Sequence, residues 1–364
     1  MHGSASLEAA DGSRRAGHLV DRHPTVSPER LIAQLIPPPS FAQVSFATYR
    51  PDPAEPTQAA AVAACQEFCR EAVERRAGLG KRFGKLFGRR EALPGVGLYL
   101  DGGFGVGKTH LLASPYYRLP GDGLDAGPKA FATFGELTQL AGVFGFAECI
   151  DLLAGYTAVC IDEFELDDPG NTTLISRMLS SLVERGVSVA ATSNTLPEQL
   201  GEGRFAAQDF LREISTLARI FTTVRIEGPD YRHRGLPPAP QPLPDEEVAA
   251  RAAGVRGATL DDFDALCTHL ATMHPSRYLS LIEGVTAVFL TGVHGIDDQN
   301  VALRLVSLTD RLYDAGIPVV ASGAKLDTIF SEEMLAGGYR KKYLRATSRL
   351  LALTAAGVSE APEP

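Results

Sequence analysis

The sequence predicts an α/β protein, a parallel sheet with helices on both faces followed by a smaller C-terminal α/β subdomain. Three observations carry that prediction. From Val96 onward, short apolar runs alternate with helical stretches, the rhythm of a parallel sheet whose crossovers are helices. A glycine-rich turn at 102–109 joins the first run to its helix. A proline-rich segment at 235–244 then interrupts the rhythm before a shorter one begins.

Residues 1–45 read as an N-terminal segment, partly loose, with a short helical stretch at 27–32 that stops at Pro37-Pro38-Pro39. The turn-rich segment 50–56 leads to Thr57, an expected N-cap, and an Ala-rich helix running to about Ala77. The basic stretch 81–90 follows. It interleaves five cations with Phe83 and Phe87, as a solvated loop or helix end does, or as a surface for a partner, nucleic acid or acidic lipid does. Strands are expected at 96–100, 130–134, 157–161, 187–192 and 221–226, with helices from Gly135 and over 171–185. These make a core of 46–234. A linker or insertion at 235–250 precedes a subdomain at 251–364, with strands at 287–290 and 317–321 around a helix at 299–315. The junction 182–187 is echoed at 312–317, a helix, a glycine and a strand in each case. The second copy has Thr291 and Gly292 where the first has acids.

Composition narrows the function classes. The chain has 364 residues, 45% hydrophobic and 22% charged, enough to bury a sizeable core. Its net charge of −9, from 35 basic and 44 acidic residues, argues against a surface built as a whole for nucleic acid. No run approaches eighteen apolar residues, so no membrane span is expected. The first thirty residues lack an apolar signal region and mix arginines with acids, which disfavours secretory and mitochondrial targeting. Five cysteines without a CxxC pair fit reduced thiols in a cytoplasmic protein.

The chemistry is concentrated in three strand ends. Gly102, Gly103, Phe104, Gly105, Val106, Gly107, Lys108 and Thr109 fit G-x-x-x-x-G-K-[ST] without a gap. Glycines let successive main-chain N–H groups face phosphates, Lys108 brings charge to the β- and γ-phosphates, and Thr109 brings a hydroxyl to Mg²⁺. His110 follows in the same helix start and is expected in the nucleotide-binding set. At 159–163 an apolar strand ends in Asp162, beside the metal, and Glu163, which can polarise a water for attack on the γ-phosphate. The second acid points to hydrolysis. Thr192-Ser193-Asn194 ends the neighbouring strand, where the Asn194 amide can orient that water or touch the γ-phosphate. The expected cofactors are ATP and Mg²⁺.

These motifs in this order resemble the AAA+ ATPases. More narrowly, Gly-Lys-Thr-His-Leu-Leu (107–112), Ile-Asp-Glu-Phe (161–164), Thr-Ser-Asn-Thr-Leu-Pro-Glu-Gln-Leu (192–200), Asp-Tyr-Arg-His-Arg (230–234) and Thr-Ser-Arg-Leu (347–350) resemble the ZapE group, bacterial relatives of the mitochondrial Afg-one ATPase. The resemblance spans roughly 40–352. It implies a homo-oligomeric, ring-forming ATPase that remodels protein partners in cell division or protein quality control. It also implies an arginine that reaches a neighbour's γ-phosphate. The family places it before a Phe-Leu-Pro-x-Ile stretch; here Arg212 stands at the proline's position, Arg204 is the upstream candidate and Arg212 the next. Arg349 or Arg232 is expected as a second nucleotide sensor. Two other readings stand beside this one: a DNA-associated ATPase like the helicase loaders, drawing on 81–90, and a nucleotide-gated scaffold.

Overall fold

The structure, a computed structural model, describes residues 16–25, 27–80, 93–103, 105–121, 128–166, 169–200, 210–229 and 240–359. They form two compact units, one of 25–236 with 336–341, the other of 1–24, 237–335 and 342–364.

In the first unit, α1 (Pro28–Ala33) is capped by the Ser27 side chain, which accepts from Arg30 N. Helix α2 (Pro56–Gly80) starts two residues earlier than a Thr57 cap would place it, on a proline that needs no partner for its missing N–H. The Thr57 hydroxyl, expected as the cap, instead accepts from Glu227 N at 2.9 Å. Then come β1 (Gly97–Gly102), α3 (Lys108–Arg118) and β2 (Lys129–Thr133). Thr133 closes β2 and caps α4 (Phe134–Phe144) in a reciprocal box with Glu136. Helix α5 (Phe146–Leu153), which the sequence reading omitted, leads to β3 (Ala158–Asp162). Helix α6 (Pro169–Glu184), β4 (Ser188–Ser193), α7 (Leu211–Ile220) and β5 (Thr222–Ile226) complete the unit.

The five strands are parallel in the order β2-β3-β4-β1-β5. Successive residues point to opposite faces. Tyr99, Val159, Ile161 and Val189 pack with α4 to α7 on one side, while Leu98, Leu100, Cys160 and Ala190 pack with α2 and α3 on the other. The order puts β4 between β1 and β3, so its carboxyl end lies between theirs, where such sheets bind ligands.

The second unit has α8 (Asp245–Gly254), β6 (Ala258–Asp262), α9 (Phe263–Ala271), α10 (Tyr278–Leu281), β7 (Ala287–Val293), α11 (Gln299–Ala315) and β8 (Val319–Gly323). After α12 (Glu332–Ala336), α13 (Arg340–Ser359) begins in the first unit's residues and continues into the second's. Its parallel sheet, β6-β7-β8, has one strand more than expected, because β6 was not recognised. Residues 16–24, expected to be loose, belong to this unit. Gly17 pairs with β6 through Ala258 O and Leu260 N, each at 2.9 Å. The Asp261 carboxylate accepts from Leu19 N and Val20 N, although burial pushes its carboxyl above the usual range.

The echoed junctions have the same geometry. Val187 N donates to Leu182 O at 3.0 Å and Ile317 N to Leu312 O at 2.9 Å, around left-handed Gly186 and Gly316, a Schellman end in each case. All five cysteines are buried and free, as expected of reduced thiols.

Candidate functional site at the carboxyl edge of the first sheet

The loop after β1 is shaped by main-chain approach. A Cβ on Gly102 would lie 2.4 Å from Ile226 O, so β1 and β5 can pair there only with glycine. Gly107 is left-handed at φ +85°, and a Cβ there would strike the Tyr49 ring at 2.6 Å. Around Gly103 the space is open. Phe104 lies outside the described residues; Gly105 has φ +69° and Val106 is buried.

Lys108 opens α3 with its ammonium donating to three oxygens: Gly102 O at 2.8 Å, Gly103 O at 2.5 Å and Asn194 Oδ1 at 2.7 Å. Three acceptors satisfy the three N–H donors of an ammonium. The same donors would serve phosphate oxygens.

Thr109 meets the acidic strand end from the same helix turn. Its hydroxyl donates to Asp162 Oδ2 at 3.1 Å and Oδ1 at 3.3 Å. Asp162 is buried, and Thr192 Oγ1 also donates to it. The Thr192 hydroxyl in turn accepts from Glu163 N at 3.1 Å. One buried threonine thus locks two strand ends together, since register places Thr192 opposite Leu100 of β1 and Ala191 opposite Ile161 of β3.

Glu163 is the one non-glycine residue with positive φ, +54°, among the described residues. A left-handed glutamate costs about 1–2 kcal/mol. The next residue explains how it is held. Phe164 N donates to Thr192 O at 2.7 Å, and the Phe164 ring is fully buried among Tyr99, Phe134 and Phe221, at centroid distances of 6.2, 5.6 and 6.1 Å. Anchoring Phe164 inward turns the chain sharply at Glu163, which stays half-buried. Strain of this kind gathers at functional sites.

The support under the loop comes from a segment that sequence reasoning missed. Tyr49 Oη donates to Val106 O at 2.9 Å, and its ring stands edge-on to His110 at 5.5 Å. His110, expected in the nucleotide set, directs its ring at this turn: Nε2 donates to Ser45 O at 3.0 Å, with Thr48 Oγ1 at 3.1 Å. Gln58, buried, donates to Glu227 O and accepts from Asp52 N. The 45–58 stretch therefore clamps both the loop and the end of β5. Tyr49→Phe keeps the ring and deletes one donor worth about 1 kcal/mol. It is expected to weaken ATP affinity about fivefold by isothermal titration.

Arg349, expected as a second nucleotide sensor, is engaged within the second unit. Its guanidinium pairs with Asp310 of α11 and lies over the Tyr313 ring at 5.1 Å, while Arg345 reaches the same carboxylate at 2.6 Å. Burial alone would raise the Asp310 carboxyl; the two guanidiniums outweigh it and hold it low. Arg349 is buried in this pairing with Asp310. Arg204, Arg232 and the basic stretch 81–90 lie outside the described residues. Arg212 is exposed on α7. No described group of His, Cys, Asp and Glu forms a metal cluster of three or more; the hard oxygens of Thr109 and Asp162 suit a cation that also takes oxygens from phosphate.

A family model described as AFG1-like ATPase matches residues 25–243 and 237–361. Cell division protein ZapE of Escherichia coli (strain K12) is 30% identical over 287 residues, covering 68% of this chain and 76% of that protein. Lactation elevated protein 1 homolog B of Danio rerio is 25% identical over 301 residues, 67% of this chain and 59% of that protein. The crystal structure of DnaI aligns with 52% of this chain and 94% of its own, at a TM-score of 0.38 and 16% identity.

Proposed function

The chain belongs to the AFG1-like ATPase family, and from that premise we propose that it uses Mg²⁺-dependent ATP hydrolysis to remodel protein partners. It is an AAA+ ATP-hydrolysing enzyme; the metal, the residue roles and the use made of turnover are the proposal. The observation that carries it is the meeting of Lys108 with Asn194 and of Thr109 with Asp162, three strand ends gathered on one edge.

In this reading the amides of 103–109 and the Lys108 ammonium bind the β- and γ-phosphates, Lys108 exchanging its present oxygens for theirs. Thr109 and Asp162 hold Mg²⁺, which neutralises charge on the phosphate oxygens when bound. Glu163 accepts the proton of the attacking water, and Asn194 orients that water or the γ-phosphate. An arginine from a neighbouring copy, Arg204 or else Arg212, completes the charge stabilisation in a homo-oligomeric ring.

The relative's name, cell division protein, supports placing the partners in the division machinery; a cytoplasmic location is part of the same proposal. No described helix is long and apolar enough to cross a membrane. The test is a pull-down with the Glu163→Gln chain. With ATP it is expected to retain partner proteins that the unsubstituted chain releases, and to assemble by light scattering. The same partners with and without ATP would contradict remodelling.

A further inference from the structure

A second lysine reaches residue 194 from far along the chain. Lys341, the second residue of α13, belongs with 336–341 to the nucleotide-binding unit. Its Nζ donates to the main-chain carbonyl of Asn194 at 2.9 Å, across 147 residues of sequence. The Asn194 side chain is held by Lys108 at 2.7 Å. The neighbouring peptides are held too: Thr195 N donates to Ser193 Oγ at 3.1 Å and Thr195 O accepts from Tyr99 Oη at 2.8 Å. Asn194 follows β4, outside the ladder, so no strand partner fixes its carbonyl. Lys341 supplies that anchor.

We propose that Lys341 is a positioning residue for hydrolysis. It fixes the residue-194 peptide so that the Asn194 amide meets the attacking water or the γ-phosphate in the right orientation. The inference rests on the role given to Asn194 above and adds a residue that none of the motifs contains. Its physical basis is that a charge-assisted hydrogen bond to a carbonyl restrains a loop peptide, while displacing a catalytic group by about 1 Å can cost on the order of 100-fold in rate. Because Lys341 acts through Asn194, its loss falls on kcat and leaves nucleotide binding unchanged.

The experiment compares Lys341→Met, Lys341→Arg, Asn194→Ala and the Asn194→Ala/Lys341→Met double variant in the full-length chain. Steady-state ATPase kinetics are read beside titration with a fluorescent ATP analogue. Lys341→Met is expected to lower kcat about fivefold to twentyfold with analogue affinity within about twofold, and Lys341→Arg to recover most of the rate. In the Asn194→Ala background, Lys341→Met is expected to cause no further loss. An unchanged kcat for Lys341→Met, a loss confined to affinity, or a full second loss in the double variant would each overturn the proposal. Undiminished turnover in Asn194→Ala would overturn the role of Asn194 itself, and so is distinguishable from a failure at Lys341 alone.

Discussion

Glu163→Gln is expected to lower ATP turnover at least about 100-fold while leaving ATP affinity within about threefold. The amide keeps the size and reach of the carboxylate and removes its ability to take a proton from water. The backbone should be undisturbed, because the turn at 163 is held by Thr192 and by the burial of Phe164. Phosphate release under single-turnover conditions measures the first quantity and equilibrium titration the second. Glu163→Gly separates strain from chemistry. Glycine adopts φ +54° without the clash that glutamate pays, so this variant should be equally inactive yet lose no thermal stability. An inactive chain that melts well below the parent would mean that Glu163 supports the fold instead.

Lys108→Ala is expected to weaken ATP binding by about 100-fold or more, roughly 3 kcal/mol. The ammonium brings together Gly102 O, Gly103 O and Asn194 Oδ1. Its removal takes the cation from the phosphates and also releases Asn194 from β1. The change should therefore appear in binding and not only in rate. A chain that bound ATP normally and merely turned it over slowly would place the phosphates elsewhere.

The nucleotide edge was legible because its information is local. The run 102–109 states its own backbone requirements, and the acids at 162 and 163 close an apolar strand. Parallel order alone was enough to bring Asn194 beside them. Capping chemistry was legible in principle: Thr133-Phe134-Gly135-Glu136 carries a capping box that sets the start of α4. What escaped was non-local. Nothing in the periodicity around Tyr49 reveals that its hydroxyl supports Val106, 57 residues away. Gly17 pairs with β6 over some 240 residues, and β6 is only five residues long and ends in two acids, Asp261 and Asp262. Arg349 stands in a suggestive motif, and that motif does not reveal its ion pair with Asp310, two helices earlier on α11. The left-handed turn at Glu163 follows from where Phe164 packs, a tertiary fact without a sequence signal.

Placing ATP directly tests the central claim most sharply. In a crystal structure of the chain grown with Mg²⁺ and a non-hydrolysable ATP analogue, the β- and γ-phosphates should lie on the amides of 103–109 with Lys108 Nζ within hydrogen-bonding distance of both. The metal should touch the Thr109 hydroxyl on the Asp162 side. An analogue bound away from this edge, or phosphates in the loop with Asp162 and Glu163 facing elsewhere, would contradict the account.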